Sequence, residues 1–311
     1  SFAWRDVNIS RDTVTVIQAQ MEGARLPFWH GEIKGRDKRT GEAFGRILYA
    51  LQKAYEEAKL PEALRELGLD ESAEKMASGY LERQIKAAGS LPDHKTIVVE
   101  HFKDTVGNSQ VMVHSIFGRR VNAPLSLLAA QTIRELTDAE IGSVDEEDGF
   151  LLYSYGNQSL PEGILQQIDV EGCVRKLEIL LPATPLFNMA FRYNSGRALM
   201  MGVRRNGRLP LWMQRLKSAE MLEQVVQEQE HPLMRETRRE CLQELWDIKG
   251  VQELLQDIRS GAVAVREIYS DIPSPMSLPL QWSQEAAVMY DYAPTPRGIH
   301  GAVEEALKKE K

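Results

Sequence analysis

Cysteine and long apolar runs are scarce in this sequence. Its 311 residues include 2 cysteines, Cys173 and Cys241, and neither belongs to a CxxC pair. Isolated thiols favour a reduced, cytoplasmic protein in which both cysteines fill core positions. No apolar run approaches the roughly 18 residues that a membrane-spanning helix needs, and the N-terminal SFAWRDVNIS lacks the pattern of a signal peptide. We therefore expect no membrane partner. Because the chain begins without Met, we also expect it to be one domain of a longer polypeptide.

The motifs of common catalytic sites are absent as well. The sequence contains no GxxxxGK(S/T) phosphate loop, no GxGxxG, no HExxH and no GxSxG. Its 6 histidines are too far apart in sequence to suggest a metal cluster. We interpret the acidic run DEED at 145–148 as a solvated turn, because no apolar strand leads into it. The sequence predicts no catalytic residue and no cofactor for this chain itself.

Strand patterns occur in three regions. TVTVIQAQ at 13–20 alternates between apolar and polar residues, as a half-buried strand does. HKTIVVEHF (94–102) and SQVMVHSIF (109–117) predict a hairpin, and a further strand follows the acidic turn up to residue 156. A short strand is also predicted within IRSGAVAVREIYSD.

Helical spacing fills the regions between and after these strands. Helices are expected from Gly41 to Gly89 and again from near Asn122 or Pro124. Beyond Pro161 helices dominate, and the final GAVEEALKKEK is expected to be a frayed helix. The prediction is an α+β fold, with an N-terminal β-rich segment and an antiparallel sheet with flanking helices, followed by a mainly helical C-terminal half. The two parts, 1–160 and 161–311, are expected to form one integrated domain.

Basic residues are concentrated in one stretch although the net charge is −7. No acidic residue occurs within 179–219, which instead contains Arg192, Arg197, Arg204, Arg205, Arg208, Arg215 and Lys217. Aromatic residues are interleaved with these cations, and that combination suits a groove for single-stranded nucleic acid. The alternative is that Phe187, Phe191, Ala198 and Met201 form a buried helix face. Because RRNGR contains an Asn-Gly turn that exposes its neighbours, Arg204, Arg205 and Arg208 are the candidate contacts here.

Two shorter motifs also combine aromatic and basic residues. LPFWHGEIKGRD at 26–37 places Phe28 and Trp29 side by side before basic residues, so the pair either fills a core or forms a platform for a flat ligand. FGRRVN at 117–122 places Arg119 and Arg120 where a strand leads into a helix. A helix N-terminus attracts phosphate, but a structural role at this corner is an equal alternative.

Taken in order, the motifs resemble one family. LPFWHGE, VMVHSIFGRRVN, EDGF, LFNMAFRYNSGRALMM, RRNGRLPLWMQR, EHPLMRETRRECLQELWDIKGVQELLQDIRSG and PSPMSLPL occur between about Trp4 and Pro294. They resemble the region behind the motor domains of Lhr-type (large helicase-related) superfamily 2 helicases. The resemblance implies a parent protein with RecA-like motor domains and a winged helix, which uses ATP and Mg²⁺ to move 3′ to 5′ on single-stranded DNA. It also implies unwinding of duplexes, RNA–DNA hybrids included, and a role in DNA repair.

The resemblance also implies a role for the aromatic pair. In the family, the tryptophan of LPFW stacks on a nucleobase, and this role falls on Trp29. We infer that His30, Lys34 and Arg36 reach adjacent phosphates. The sequence departs from the family after this motif, with GRDKRTGEAFG in place of GRPxELG, which puts the conformation of the loop in doubt.

Three functions are consistent with these observations. The leading hypothesis is a non-catalytic clamp domain that binds single-stranded DNA within an ATP-dependent helicase. The second is a docking module that uses the basic stretch 179–219 to bind the motor domains or a repair partner. The third is a base-excision glycosylase activity, for which the sequence nominates no residue.

Overall fold

The computed structural model describes residues 3–9, 13–19, 35–137, 139–155, 158–202, 209–228, 230–289 and 297–310. The chain forms two compact units, Ser1–Lys34 and Gly35–Lys311. In the first unit, β1 (Ala3–Ile9) pairs antiparallel with β2 (Val14–Ala19), and the register shifts between Asp6 and Asn8. The predicted β structure near the N-terminus is therefore confirmed. The LPFW motif at 26–29 lies outside the described residues.

The second unit is built on a five-stranded sheet with the order β5-β6-β4-β3-β7. Its strands are β3 (Thr96–Lys103), β4 (Ser109–His114), β5 (Ile141–Glu146), β6 (Gly149–Ser154) and β7 (Ala264–Tyr269). Neighbouring strands are antiparallel except β3 and β7, which are parallel. The predicted antiparallel sheet thus gains a parallel edge strand. Since β7 comes from the helical half, the predicted parts 1–160 and 161–311 share one sheet.

Helices cover both faces of this sheet. The helices of the described residues are α1 (Lys38–Glu56), α2 (Leu60–Glu66), α3 (Glu71–Ala88), α4 (Arg119–Thr137), α5 (Cys173–Leu180), α6 (Pro185–Arg197), α7 (Leu211–Val225), α8 (Pro232–Glu240), α9 (Ile248–Ser260), α10 (Leu278–Met289) and α11 (Arg297–Glu310). A π-helical turn, Cys241–Leu245, continues α8. No helix within these described ranges is both long and apolar enough to cross a membrane. The α+β prediction with a mainly helical C-terminal half is confirmed.

Alternate side chains of the central strands pack into two separate hydrophobic clusters, one on each face of the sheet. Val99 and Val113 belong to the main core, which also contains Leu125 of α4. The alternate residues Phe102 and Met112 join a smaller cluster with Leu151 and Leu280 of α10. Because successive strand residues point to opposite faces, the sheet lies between α4 on one side and α10 on the other.

Three local expectations were wrong, each for a long-range reason. Helix α4 begins at Arg119 rather than near Asn122 or Pro124. The acidic run does follow a strand: Asp145 and Glu146 end β5, and the turn to β6 comes after them. The C-terminal helix α11 is not frayed, because Ile299 and Val303 are buried, the latter against α5. These features depend on tertiary partners that the local pattern does not reveal.

A buried carboxylate holds the segment between β7 and α10 against the sheet. Glu100 Oε1 accepts hydrogen bonds from Ser270 Oγ and Ser274 N, both at 2.8 Å. Glu100 Oε2 accepts from Ser274 Oγ at 2.6 Å and Ser277 Oγ at 2.7 Å, and lies 3.1 Å from His114 Nε2. Burial alone would raise the pKa of Glu100, but the hydrogen bonds from His114, Ser274 and Ser277 lower it to about 2. We call this set the Glu100 latch.

We predict that Glu100→Gln destabilises the protein in a pH-dependent way. The pKa of Glu100 falls from 4.5 to about 2 on folding, which corresponds to about 3 kcal/mol of stability. Because the folded-state pKa is depressed, this contribution is present above about pH 4.5 and is lost as the pH falls towards 2. The variant should therefore lose about 3 kcal/mol of unfolding free energy at pH 7 and much less near pH 3.

Urea denaturation at both pH values measures this difference. The control is Glu66→Gln, because Glu66 is exposed on α2. Equal stability of Glu100→Gln and the wild type at pH 7 would contradict the role of the latch.

Candidate nucleic-acid interface

The structure describes part of the predicted binding set. Arg36, Arg119 and Arg120 fall within the described residues. Outside them lie Trp29, His30, Lys34, Arg204, Arg205 and Arg208. Within the described residues, the candidate interface consists of Arg36, Arg119 and Arg120 and of the residues on either side of 203–208.

Arg36, Arg119 and Glu147 meet where α1, α4 and the β5–β6 turn converge. Glu147 Oε2 accepts hydrogen bonds from the backbone amides of Arg36 at 2.9 Å and Arg119 at 3.1 Å. The Arg36 guanidinium donates to the carbonyls of Ile116 and Glu147, each at 2.9 Å, and to Asp148 Oδ1 at 2.5 Å. We call Arg36, Gly118, Arg119, Glu147 and Asp148 the α4 corner.

The neighbouring polar side chains of this region also have partners within the protein. Arg119 Nε lies 2.7 Å from Asp145 Oδ2. Arg120 donates to the carbonyls of Glu244 at 3.0 Å and Leu245 at 3.1 Å. The Glu147 carboxylate thus accepts a backbone amide at the start of α4. One of our two predictions for this helix N-terminus was a bound phosphate, and the other was a structural role. These contacts agree with the structural alternative for Arg119 and Arg120, whereas nucleic-acid contacts by the three arginines stay a prediction.

Gly118 permits the close approach of the two chain segments at the corner. Its φ is +89°, and a Cβ at this position would lie 2.2 Å from the Arg36 carbonyl oxygen. Gly41, at the first turn of α1, is similarly close: its Cβ would lie 2.3 Å from the Ile116 carbonyl oxygen. The sequence therefore needs glycine on both sides for the backbone of 36–41 to pack against 116–118.

The predicted buried face of α6 is largely confirmed. Phe187 and Phe191 are fully buried, and Met201 is buried just beyond the helix, whereas Ala198 is exposed. Asn194 and Arg197 both contact Glu240 of α8, at 2.9 Å and 3.4 Å. These two phenylalanines are consequently core residues and are unavailable for stacking on bases.

The end of the α6–α7 pair, in contrast, carries exposed apolar and basic side chains. Leu199 is 83% exposed, and Met200 and Leu211 are about half exposed. Arg215 and Lys217 of α7 are exposed and form no ion pair with any described residue. Lys217 also lies near Gly202, since its Nζ would be 3.9 Å from a Cβ at that position. We call these residues the α6–α7 end; sequence reasoning placed both cations in the basic stretch but did not select them.

No catalytic arrangement is evident in the described part of the chain. Among those residues, no group of three or more His, Cys, Asp and Glu side chains could hold a metal ion. The Glu100 latch combines serine, histidine and carboxylate, as hydrolases do, but Ser274 and Ser277 are 0% exposed and His114 is 1% exposed. Substrate cannot reach such hydroxyls, so the latch is a structural element. Both cysteines are buried, and burial raises the pKa of Cys241 to about 12.

We predict that Gly118→Ala disrupts the α4 corner. The added Cβ would clash with the Arg36 carbonyl, and the cost of positive φ adds to this, so we expect a loss of about 3 kcal/mol or more. Gly68→Ala is a matched control, because Gly68 has φ +88° but nothing within 4 Å of an added Cβ. It should cost about 1 kcal/mol from φ alone. Chemical denaturation measures both, and equal losses would show that the close approach is unimportant.

Comparison with known proteins supports the sequence resemblance. Residues 91–277, more than half of the chain, match the family described as DEAD/H associated. The Lhr helicase/uracil glycosylase of Escherichia coli K12 is 32% identical over 291 residues, which cover 93% of this chain and 19% of that protein. The ATP-dependent helicase Lhr-Core of Methanothermobacter thermautotrophicus is 28% identical over 78% of this chain and 28% of its own length.

A solved structure has the same fold. It is that of Mycobacterium smegmatis helicase Lhr bound to ssDNA and AMP-PNP, with a TM-score of 0.72 and 28% identity over 84% of this chain and 34% of that one. The present chain thus spans about a fifth to a third of the length of these relatives. The predicted resemblance to Lhr-type helicases is confirmed, and the chain belongs to the DEAD/H associated family.

Proposed function

We propose that this chain is a single-strand-binding clamp domain of an ATP-dependent 3′-to-5′ DNA helicase. The observation that carries the proposal is the α6–α7 end, where Arg215 and Lys217 lie exposed without an acidic partner among the described residues. They follow Arg204, Arg205 and Arg208 in the same acid-free stretch of the sequence. Cations that are not neutralised by the protein remain free to bind phosphates, and this binding is independent of base sequence.

Trp29 is the proposed stacking residue of this interface. An indole offers a flat surface to any base, and His30 and Lys34 follow it closely enough in sequence to contact neighbouring phosphates. Arg36, Arg119 and Arg120 are proposed as further contacts. Because these three side chains already donate hydrogen bonds within the protein, we expect each of them to contribute less than the arginines of 204–208.

The proposal also covers the longer helicase polypeptide to which this domain would belong. RecA-like motor and winged-helix domains of the same polypeptide would be partners, and an RNA–DNA hybrid or a repair intermediate would be a substrate of the whole. ATP and Mg²⁺ would act on the motor domains, because the residues of this chain do not fit them: the sequence has no phosphate loop, and its described part has no acidic metal cluster. We place the protein in the cytoplasm.

Protein docking is the second candidate function. Leu199, Met200 and Leu211 are exposed apolar residues close in sequence to the cations, and exposed apolar side chains also suit a protein partner. Oligonucleotide binding separates the two candidates. If the 311-residue chain binds no labelled single strand at low salt, protein docking is favoured. Base excision is tested separately by incubating the chain with uracil-containing single strands, because a glycosylase would produce an abasic site.

Substitution of the loop arginines should weaken binding and reduce its salt dependence. For Arg204→Ala/Arg205→Ala/Arg208→Ala we expect the slope of log K against log salt concentration to become shallower by about 2, at about 0.7 per lost phosphate contact. Fluorescence anisotropy of a labelled oligonucleotide measures this. Lys75→Ala/Arg83→Ala/Lys86→Ala on α3 makes the same change in net charge and should bind normally. Equal effects of the two triple variants would indicate long-range charge rather than a local site.

Removal of the Trp29 indole should weaken binding without changing the salt slope. Stacking contributes roughly 1–3 kcal/mol per base, so Trp29→Ala should raise the dissociation constant by about 5-fold to 150-fold. Trp282→Ala is the control, because Trp282 is 65% exposed on α10. This substitution removes an exposed indole from another part of the chain. Unchanged affinity of Trp29→Ala would overturn the stacking role.

A further inference from the structure

Two residues at the end of α6 contradict the local preferences of a helix terminus. Gly196 lies inside the last turn, where glycine is a poor helix former. Leu199 follows the helix at the position that glycine most often occupies. The amide of Leu199 donates to the Gly196 carbonyl at 3.1 Å, so the two residues lie together. Both choices disfavour folding, and both occur within one turn.

Leu199 adopts the left-handed conformation that closes α6. Its φ is +60°, and the amide of Met200 donates to the Ser195 carbonyl at 3.0 Å, as in a Schellman motif. This conformation is unfavourable for a residue with a Cβ, whereas glycine adopts it readily. Packing does not compensate, because Leu199 is 83% exposed, the highest value of any large apolar side chain among the described residues. Helix termination therefore does not explain the leucine.

Gly196 shows the reverse mismatch. It is exposed, its φ is not positive, and a Cβ at this position would meet nothing within 4 Å outside the backbone of its own helix. Neither a turn nor a close packing contact within the described residues therefore requires glycine here. The missing side chain leaves bare helix backbone beside an exposed leucine. A glycine at such a place allows another molecule to approach the backbone closely.

The turn is held in place from its buried side. Asn194 Nδ2 donates to Thr237 Oγ1 at 3.2 Å and to Glu240 Oε2 at 2.9 Å, which anchors α6 to α8. Asn194 and Ser195 are buried, whereas 196–200 are exposed. A contact made by the exposed turn consequently costs little ordering of the protein.

The charges around the turn favour an anionic partner. No acidic residue occurs within 179–219, and Lys217 Nζ would lie 3.9 Å from a Cβ on Gly202, just beyond the turn. Glu240, which comes close from α8, is already paired with Arg197. An apolar side chain with cations nearby suits a strand of nucleic acid, because such a strand combines base faces with anionic phosphates.

We propose that this turn is a base-contact wedge of the single-strand interface. Leu199 inserts between two neighbouring bases, and one of these bases lies against the bare backbone at Gly196. Several DNA-binding proteins insert apolar side chains between bases in this way. Because the contact is made with base faces, it does not select a sequence. The choice of ligand rests on the proposed single-strand function, whereas the mismatch at both positions is a property of the fold.

Leu199→Gly and Gly196→Ala test the wedge. Each substitution introduces the residue that the local backbone favours, so each should raise the Tm by about 2 °C. Each should nevertheless weaken binding of oligothymidine by about fivefold or more. The first removes the apolar contact, and the second places a methyl group in the space of the base. Thermal melting and fluorescence anisotropy of the 311-residue chain measure the two effects.

Two matched variants show the effect of folding preference alone. Ala58 ends α1 in the same conformation, with φ +59°, and Gly301 is an exposed glycine of α11 whose Cβ would meet nothing within 4 Å. Ala58→Gly and Gly301→Ala should raise the Tm by a similar amount and leave oligothymidine affinity unchanged. A strand of abasic residues is the control for the ligand. The wild type and Leu199→Gly should bind it equally, since it offers no base to the leucine.

Three results would overturn the wedge. Wild-type affinity of both Leu199→Gly and Gly196→Ala for oligothymidine would do so, and would favour a protein partner for the exposed leucine. An equal loss of Leu199→Gly affinity on the abasic strand would show that the leucine does not contact bases. A fall in the Tm of both variants would assign the two residues to folding.

The outcome is distinguishable from that of the proposed function. If the wild-type chain binds no oligothymidine, both proposals fail. If it binds and Arg204→Ala/Arg205→Ala/Arg208→Ala binds weakly, while Leu199→Gly and Gly196→Ala bind as the wild type does, the wedge alone fails.

Discussion

One carboxylate oxygen, Glu147 Oε2, accepts the backbone amides of Arg36 and Arg119. This shared contact joins the entrance of α1, the start of α4 and the β5–β6 turn, and Gly118 makes it sterically possible. Because the second unit begins at Gly35, the contact to Arg36 anchors the first residues of that unit.

The basic side chains discussed above fall into two groups. Arg36, Arg119 and Arg120 are paired with carboxylates and carbonyls, and they hold secondary-structure elements together. At the α6–α7 end, Arg215 and Lys217 have no such partner among the described residues. A net charge of −7 opposes any general attraction of nucleic acid. In the proposed interface, the absence of acidic residues within 179–219 would thus matter more than the number of basic residues.

The sequence predicts the elements better than their contacts. Strands β3 and β4 follow from period-two alternation, but β5 was missed because it is an edge strand in which only Ile141 is fully buried. The Glu100 latch joins residues that are 174 and 177 positions apart, and no local pattern encodes such a pairing. Similarly, charge patterning identifies Arg119 as a candidate contact, whereas its pairing with Asp145 depends on the hairpin that brings them together.

Amide hydrogen exchange of the 311-residue chain, with and without a saturating single-stranded oligonucleotide, tests the clamp most directly. The account predicts slower exchange in peptides covering 26–34 and 198–210 when the strand is bound, since those backbones would lie under it. Peptides from α2 and α3 should exchange equally in both samples. Protection of α2 and α3, with no change at 26–34 or 198–210 while the oligonucleotide is bound, would contradict the proposed interface.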